Sequence, residues 1–139
     1  MLTGGSEFVV DAAVLVSMLT AVGAGPEWAE DLCLGSVLHS PHHVLPECAN
    51  AIRRLERSGS ISGRQAEGAH RDLLALDLDV WPYAPLAFRA WELRHRLTSY
   101  DASYVALAEA LGLPLATLDA AIPTTPGARC TFLTPPGPN

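Results

Sequence analysis

Four carboxylates carry the chemical interest of this 139-residue chain. Asp11 follows the apolar run Phe8-Val9-Val10, and Glu47 stands near the start of an amphipathic segment that begins at Leu45. Asp101 opens an Ala/Leu-rich stretch after Ser99-Tyr100, and Asp119 ends the run Leu115-Ala116-Thr117-Leu118. Acids gathered on one rim without a basic partner repel one another and bind protons more tightly, unless a cation is present. Hard oxygen ligands in an incomplete cage suit Mg²⁺ or Mn²⁺, which keep several waters and take further ligands from phosphate. Such a site can polarise a phosphodiester, lower the pKa of a bound water and stabilise the leaving oxygen. This is the chemistry of a metal-dependent nuclease.

The elements around these acids follow from apolar patterning. Glu7-Phe8-Val9-Val10 reads as a short strand feeding a helix over Ala12 to Val22, with Asp11 at the junction. Taken alone, Asp11 serves equally as a helix N-cap. Gly23-Ala24-Gly25-Pro26 breaks that helix, and a short second one runs from Glu27 to Leu34 with Pro26 in its first turn. Val37-Leu38-His39-Ser40 is a second strand. Leu45, Cys48, Ala49, Ile52 and Leu55 then recur at helical spacing. Glu47 and Asn50, three apart, flank that stripe together near the helix start. The macrodipole would also favour a merely solvated Glu47 there. Arg53, Arg54 and Arg57 follow on the same helix, which Ser58-Gly59-Ser60 stops.

Ser62 caps a peripheral helix over Gly63 to Ala75, and Leu78-Asp79-Val80-Trp81 is a third strand stopped by Pro82. Pro85 opens a helix to about Leu97, with Leu86, Phe88, Ala90, Trp91, Leu93 and Leu97 as its core residues and Arg89, Glu92, Arg94, His95 and Arg96 mostly on its solvated face. The stretch from Asp101 to Leu111 is an apolar helix, and Gly112-Leu113-Pro114 is a tight connection to a strand over Leu115 to Leu118. Ala120 to Ala128 is a loop and Cys130 to Leu133 a last strand. Met1 to Ser6 is a loose start. Residues 1–133 form a single domain, and 134–139 are a Pro-rich tail that cannot fold alone.

Strands alternating with helices give an α/β fold with a mostly parallel sheet of four to five short strands covered on both faces. Functional groups in such a sheet gather outside the carboxyl ends of the strands. Asp11 ends the first strand and Asp119 the fourth, while Glu47 and Asp101 begin helices leading from the same edge. Caps and solvated faces do not by themselves put four acids there.

Composition limits the alternatives. A net charge of −6 argues against a large basic face for duplex DNA. All nine basic residues are arginine, planar bidentate donors suited to phosphate, although G+C-rich coding produces the same bias. Cys33, Cys48 and Cys130 have an odd count and no paired spacing, which fits core thiols in a reduced compartment. The first apolar run is short and interrupted by Asp11, so no membrane segment and a cytoplasmic location are expected. The Gly-rich phosphate loops are absent. His42-His43 beside Glu47 is a weak zinc pattern, because adjacent histidines in a turn do not face one another. Ser99 and Ser103 lack the strained elbow of a nucleophilic serine.

With Val10-Asp11, Leu45-Pro46-Glu47 with Asn50 and Arg54, Tyr100-Asp101-Ala102, and Pro114 through Asp119 in place, the chain resembles the PIN-domain ribonucleases. Its size is similar to that of the VapC toxins of toxin–antitoxin pairs. The resemblance runs roughly from Phe8 to Leu133 and is most specific from Tyr100 to Asp119. It implies a three-layer α/β/α fold and Mg²⁺- or Mn²⁺-dependent cleavage of RNA at Asp11, Glu47, Asp101 and Asp119. Asn50 and Thr117 match polar positions that support those acids, and Arg53, Arg54 and Arg57 are candidates to hold the RNA backbone. The resemblance further implies an antitoxin partner that blocks the site, with a homodimer or a toxin–antitoxin hetero-oligomer as the assembly. Two departures stand out. Ala12 and Ala13 occupy positions where the family often has Ser or Thr, and Ala120-Ala121-Ile122 replaces charged residues after the last acid. A PIN-like module that binds RNA or protein without cutting is the alternative these departures leave open. A small phosphatase is disfavoured because Asp11 lacks an Asp two residues on.

Overall fold

The structure is a computed structural model that describes residues 6–23 and 25–137. Residues 1–5 of the expected loose start, Ala24 of the Gly-Pro break, and the last two residues of the expected tail lie outside the described residues.

Five strands form one wholly parallel sheet: β1 (Glu7–Val10), β2 (Val37–Pro41), β3 (Leu78–Trp81), β4 (Leu115–Ala116) and β5 (Phe132–Leu133), in the order β3-β2-β1-β4-β5. Phe8, Val9 and Val10 are fully buried, as an unbroken apolar run in a central strand requires. The chain steps from β1 outward through β2 to β3, then crosses back past β1 to β4. Right-handed crossovers therefore place α1 (Ala12–Thr20), α2 (Pro26–Cys33), α3 (Val44–Arg57) and α4 (Gly63–Ala75) on one face. The other face carries α5 (Ala87–Glu92) and α6 (Ser99–Leu111). The contacts agree: α1 packs on α2, α3 and α4, and α5 packs on α6. The three-layer α/β/α expectation holds.

The central helix of the second face, α6, buries every residue from Ala102 to Ala108. Thr98 caps it by accepting the Asp101 N–H on Oγ1 at 3.1 Å. Asp101, expected to open the helix, thus sits in its first turn. At the other end Gly112 takes φ +69°, a left-handed conformation that side chains oppose, and the Leu113 N–H returns to the Ala108 carbonyl at 3.0 Å. That reversal sends the chain into β4 beside β1, so α6 and β4 run in opposite directions and the start of α6 overlooks the end of β4.

Several expected boundaries are corrected: α1 ends at Thr20, not Val22, and the last strand begins at Phe132, not Cys130. The fourth strand stops at Ala116, not Leu118, because the Thr117 hydroxyl accepts the Asp119 N–H at 3.0 Å and turns the chain away. The expected helix from Pro85 to Leu97 is broken into a 3₁₀ turn (Ala84–Leu86), the short α5, and turns through Leu97. Leu86, Ala90 and Leu93 form its buried stripe at helical spacing. Phe88 and Trp91, expected in the core, fall on the opposite side and are 91% and 61% exposed. The Arg94 guanidinium lies 4.6 Å from the Trp91 ring centroid.

Cys33 and Cys48 are buried and Cys130 half-buried, and all three are free thiols. Burial pushes Cys33 and Cys48 up to about 12. Among the described residues no helix is long and apolar enough to cross a membrane.

Candidate active site

Asp11 leaves the carboxyl end of β1 with its N–H bonded to the Ala116 carbonyl of β4 at 3.1 Å. Its Oδ1 accepts the Val14 N–H at 3.1 Å and so caps α1. The cap and the acid are therefore one residue in two roles. Asp11 is 7% exposed, and its pKa is pushed up to about 6, chiefly by burial. Hydrogen bonds from Thr117 and Val14 oppose that shift, and the charges of Glu47 and Asp101 add to it.

Glu47 lies in the first turn of α3, where β2 hands the chain to the helix. Its Oε1 accepts the Tyr104 hydroxyl at 2.8 Å, and His43 Nε2 lies 3.4 Å from the same oxygen. Burial raises the Glu47 pKa; the Tyr104 hydrogen bond and Arg54 oppose this, while Asp101 reinforces it. Asp101 is raised as well, first by burial and then by Asp119. Asp119 sits in the turn after β4, and its Oδ1 accepts the Ala121 N–H at 2.9 Å. The four acids thus form a chain of mutual repulsion running from Asp11 through Glu47 and Asp101 to Asp119.

Thr117 is fully buried and joins two of these acids. Its hydroxyl bonds the Asp11 carboxylate and accepts the Asp119 N–H at 3.0 Å. Asn50 is exposed one turn beyond Glu47, and its Oδ1 accepts from Arg53 Nη1 at 3.3 Å. Arg54 is the arginine whose charge reaches Glu47. It also lines a hollow of about 490 Å³ with Ala13, Val16, Val22 and Leu118. Arg53 instead faces a groove between α3 and α4, beside Glu67 and His70. Arg57 lies ten residues beyond Glu47, about 15 Å along the helix axis.

Sequence reasoning missed Tyr104. Its signal was present, since it follows Asp101 by one helical turn and shares its face. His43 lowers its pKa through burial and packs edge-on against Tyr100 and Tyr104, with ring centroids 5.3 and 5.1 Å away. It stands beside Glu47, whereas the neighbouring His42 is exposed.

The donor set fits a hard divalent cation. Three of the four acids are raised partly by one another, and no arginine forms an ion pair with any of them among the described residues. Among the same residues no three His, Cys, Asp or Glu side chains stand close enough to ligate one ion directly.

A twisted parallel sheet with an acidic rim at its carboxyl edge defines an α/β protein whose site is built from strand ends and helix starts. A model of the PIN domain matches residues 8–127, and the chain belongs to the PIN-domain family. It is similar to the protein named Ribonuclease VapC1 of Mycobacterium tuberculosis, 41% identical over 125 residues, which cover 89% of this chain and 94% of the relative. Among solved structures it resembles M. tuberculosis VapC20, described as a sarcin–ricin loop cleaving toxin, with a TM-score of 0.66 and 23% identity over 86% of this chain and 95% of that one. It also resembles VapBC2 of Rickettsia felis bound to a DNA fragment from its promoter, with a TM-score of 0.64 and 15% identity over 92% and 98% of the two chains.

Proposed function

We propose that this chain is a metal-dependent endoribonuclease toxin held in check by a cognate antitoxin. The observation that carries the reading is the acidic rim itself: Asp11, Glu47 and Asp101 are each pushed toward protonation, and among the described residues no arginine forms an ion pair with them. The similarity to Ribonuclease VapC1 over 89% of the chain supports RNA as the polymer cut.

In this reading Asp11, Glu47, Asp101 and Asp119 hold Mg²⁺ or Mn²⁺. The ion supplies a water of lowered pKa and charge stabilisation at the phosphodiester. The protein's part is positional. β1 and β4 fix Asp11 and Thr117 side by side, and Thr117 ties Asp11 to the turn bearing Asp119. The first turns of α3 and α6 bring in Glu47 and Asp101. Arg54, two turns beyond Glu47, is the arginine best placed to meet an RNA phosphate near the acids, and Arg53 and Arg57 extend the grip outward.

The antitoxin follows from the kinship with VapC proteins, which occur with partners in solved pairs such as VapBC2. The toxin would act in the cytoplasm as a homodimer or within a toxin–antitoxin hetero-oligomer. The test is cleavage of structured RNA with Mn²⁺ by the wild type and by Asp101→Asn, together with growth arrest on expression of each. Cleavage and arrest by the wild type alone are expected. Equal behaviour of the two proteins would favour the non-cutting binding module instead.

A further inference from the structure

Tyr104 is buried on α6 one turn past Asp101, and its hydroxyl crosses to α3 to donate to Glu47 Oε1 at 2.8 Å. Its ring is wedged edge-on by His43, 5.1 Å away between centroids. His43 Nε2 approaches the same Glu47 oxygen at 3.4 Å but off line, and it is a buried polar atom without a hydrogen-bond partner. The Tyr104 hydroxyl is therefore the group that holds Oε1, and the second Glu47 oxygen accepts no hydrogen bond among the described residues. A glutamate with a side chain 40% exposed samples several rotamers unless something fixes it.

We propose that Tyr104 is a positioning residue for the metal site, holding Glu47 by one oxygen so that the other is free to meet the divalent cation in a single side-chain pose. The proposal rests on the carboxylate-site reading above. It also gives a role to the hydroxyl of a side chain 1% exposed in the centre of α6, which has no other hydrogen-bond partner among the described residues. The same hydrogen bond links the helix carrying Asp101 to the helix carrying Glu47, so two acids from different crossovers keep their spacing.

Calorimetric titration of the full chain with Mn²⁺ tests this in wild type, Tyr104→Phe, Glu47→Ala, the double variant, and Asp101→Asn. Tyr104→Phe is expected to weaken Mn²⁺ binding on the order of 10-fold, the scale seen when a residue that orients a ligand is lost. The Mn²⁺ concentration for half-maximal cleavage should rise by the same factor, with turnover recovering at saturating Mn²⁺. In the Glu47→Ala background the same change should cost nothing further. Wild-type affinity in Tyr104→Phe, or an equal loss in the Glu47→Ala background, overturns the proposal while leaving the site intact. Undiminished Mn²⁺ binding by both Asp101→Asn and Glu47→Ala overturns the site and the proposal together. ¹³Cζ-tyrosine NMR of the wild type reads the hydroxyl without any change at residue 104. The buried tyrosine's resonance should shift on adding Mg²⁺ and stay still in Glu47→Ala; indifference to Mg²⁺ in the wild type refutes the link.

Discussion

The Thr117 hydroxyl accepts the backbone N–H of Asp119 at 3.0 Å while bonding the carboxylate of Asp11. One buried oxygen thus sets the end of β1 and the turn after β4 in a fixed relation. Thr117→Val keeps the shape and removes both bonds. It should cost about 1–2 kcal/mol of stability in urea denaturation, since the buried Asp11 carboxylate loses its hydroxyl partner and the Asp119 N–H its acceptor. Mn²⁺-dependent cleavage should fall about 10-fold or more, as for other residues that orient ligands. Thr117→Ser should restore both properties.

Much of this arrangement is legible in the sequence. The runs Phe8-Val9-Val10 and Leu115-Ala116 are apolar because both faces of the sheet are covered, and the acid after each run marks the carboxyl edge. Asp101 is legible for the same reason, as the first-turn carboxylate of a helix buried all round. What escapes reading is decided by neighbours distant in sequence. Phe88 and Trp91 look like core until Leu86, Ala90 and Leu93 are seen to occupy the stripe against α6. The His39 pairing, with Nε2 on Glu7 at 2.7 Å and Nδ1 accepting from Trp81 at 3.1 Å, spans three strands and has no local pattern. Asn50 shows the converse, because spacing put it beside Glu47 while its side chain turned to Arg53.

Neutralising one acid should separate function from stability. In Asp11→Asn the amide oxygen can still accept the Val14 N–H, so the α1 cap persists. Asp101→Asn keeps its backbone N–H on Thr98. Each removes a charge that its neighbours repel. Cleavage should fall beyond the roughly 100-fold range of supporting residues, while the metal-free melting temperature at neutral pH stays level or rises. Circular dichroism melts beside RNA cleavage assays check both.

The same repulsion sets a pH dependence. The pKa of Asp11 is raised from 3.8 to about 6, and Glu47 and Asp101 are raised too, so the folded state prefers these acids neutral. Stability from that preference is full below the unfolded values and is lost as pH rises through the folded ones. The metal-free protein should therefore be more stable in urea at about pH 5 than at about pH 7.5, with Asp11 alone worth about 1.4 kcal/mol of that difference. Saturating Mn²⁺ should erase or reverse that difference, and Mn²⁺ uptake near pH 6 should release protons, visible as a buffer-dependent heat in calorimetry.

Glu109 has the opposite sign and sits away from the acids. Arg89 grips it with two bonds, Nε to Oε1 at 2.6 Å and Nη2 to Oε2 at 3.1 Å, and the Arg129 N–H adds a third at 2.7 Å. Arg89 Nη2 also reaches the Gly127 carbonyl at 2.6 Å, so α5, α6 and the chain leading to β5 are clasped at one point. Burial raises the Glu109 pKa, but the hydrogen bonds from Arg89 and Arg129 outweigh it and leave the value lowered. Its contribution is present above the ordinary glutamate range and is lost as pH falls through the lowered value. As pH falls below the ordinary glutamate range this loss works against the gain from the acidic rim, which has by then levelled off, and gives the metal-free protein a stability maximum on the mildly acidic side. Glu109→Gln removes the charge and the bidentate match, at an expected cost of about 1.5–3 kcal/mol. Because Glu109 lies eight residues, about 12 Å, along α6 from Asp101, Mn²⁺ affinity should be unchanged. Hydrogen exchange should show faster loss of protection at Arg129 in the variant, and a variant that instead loses Mn²⁺ binding would show that the clasp positions the acids as well.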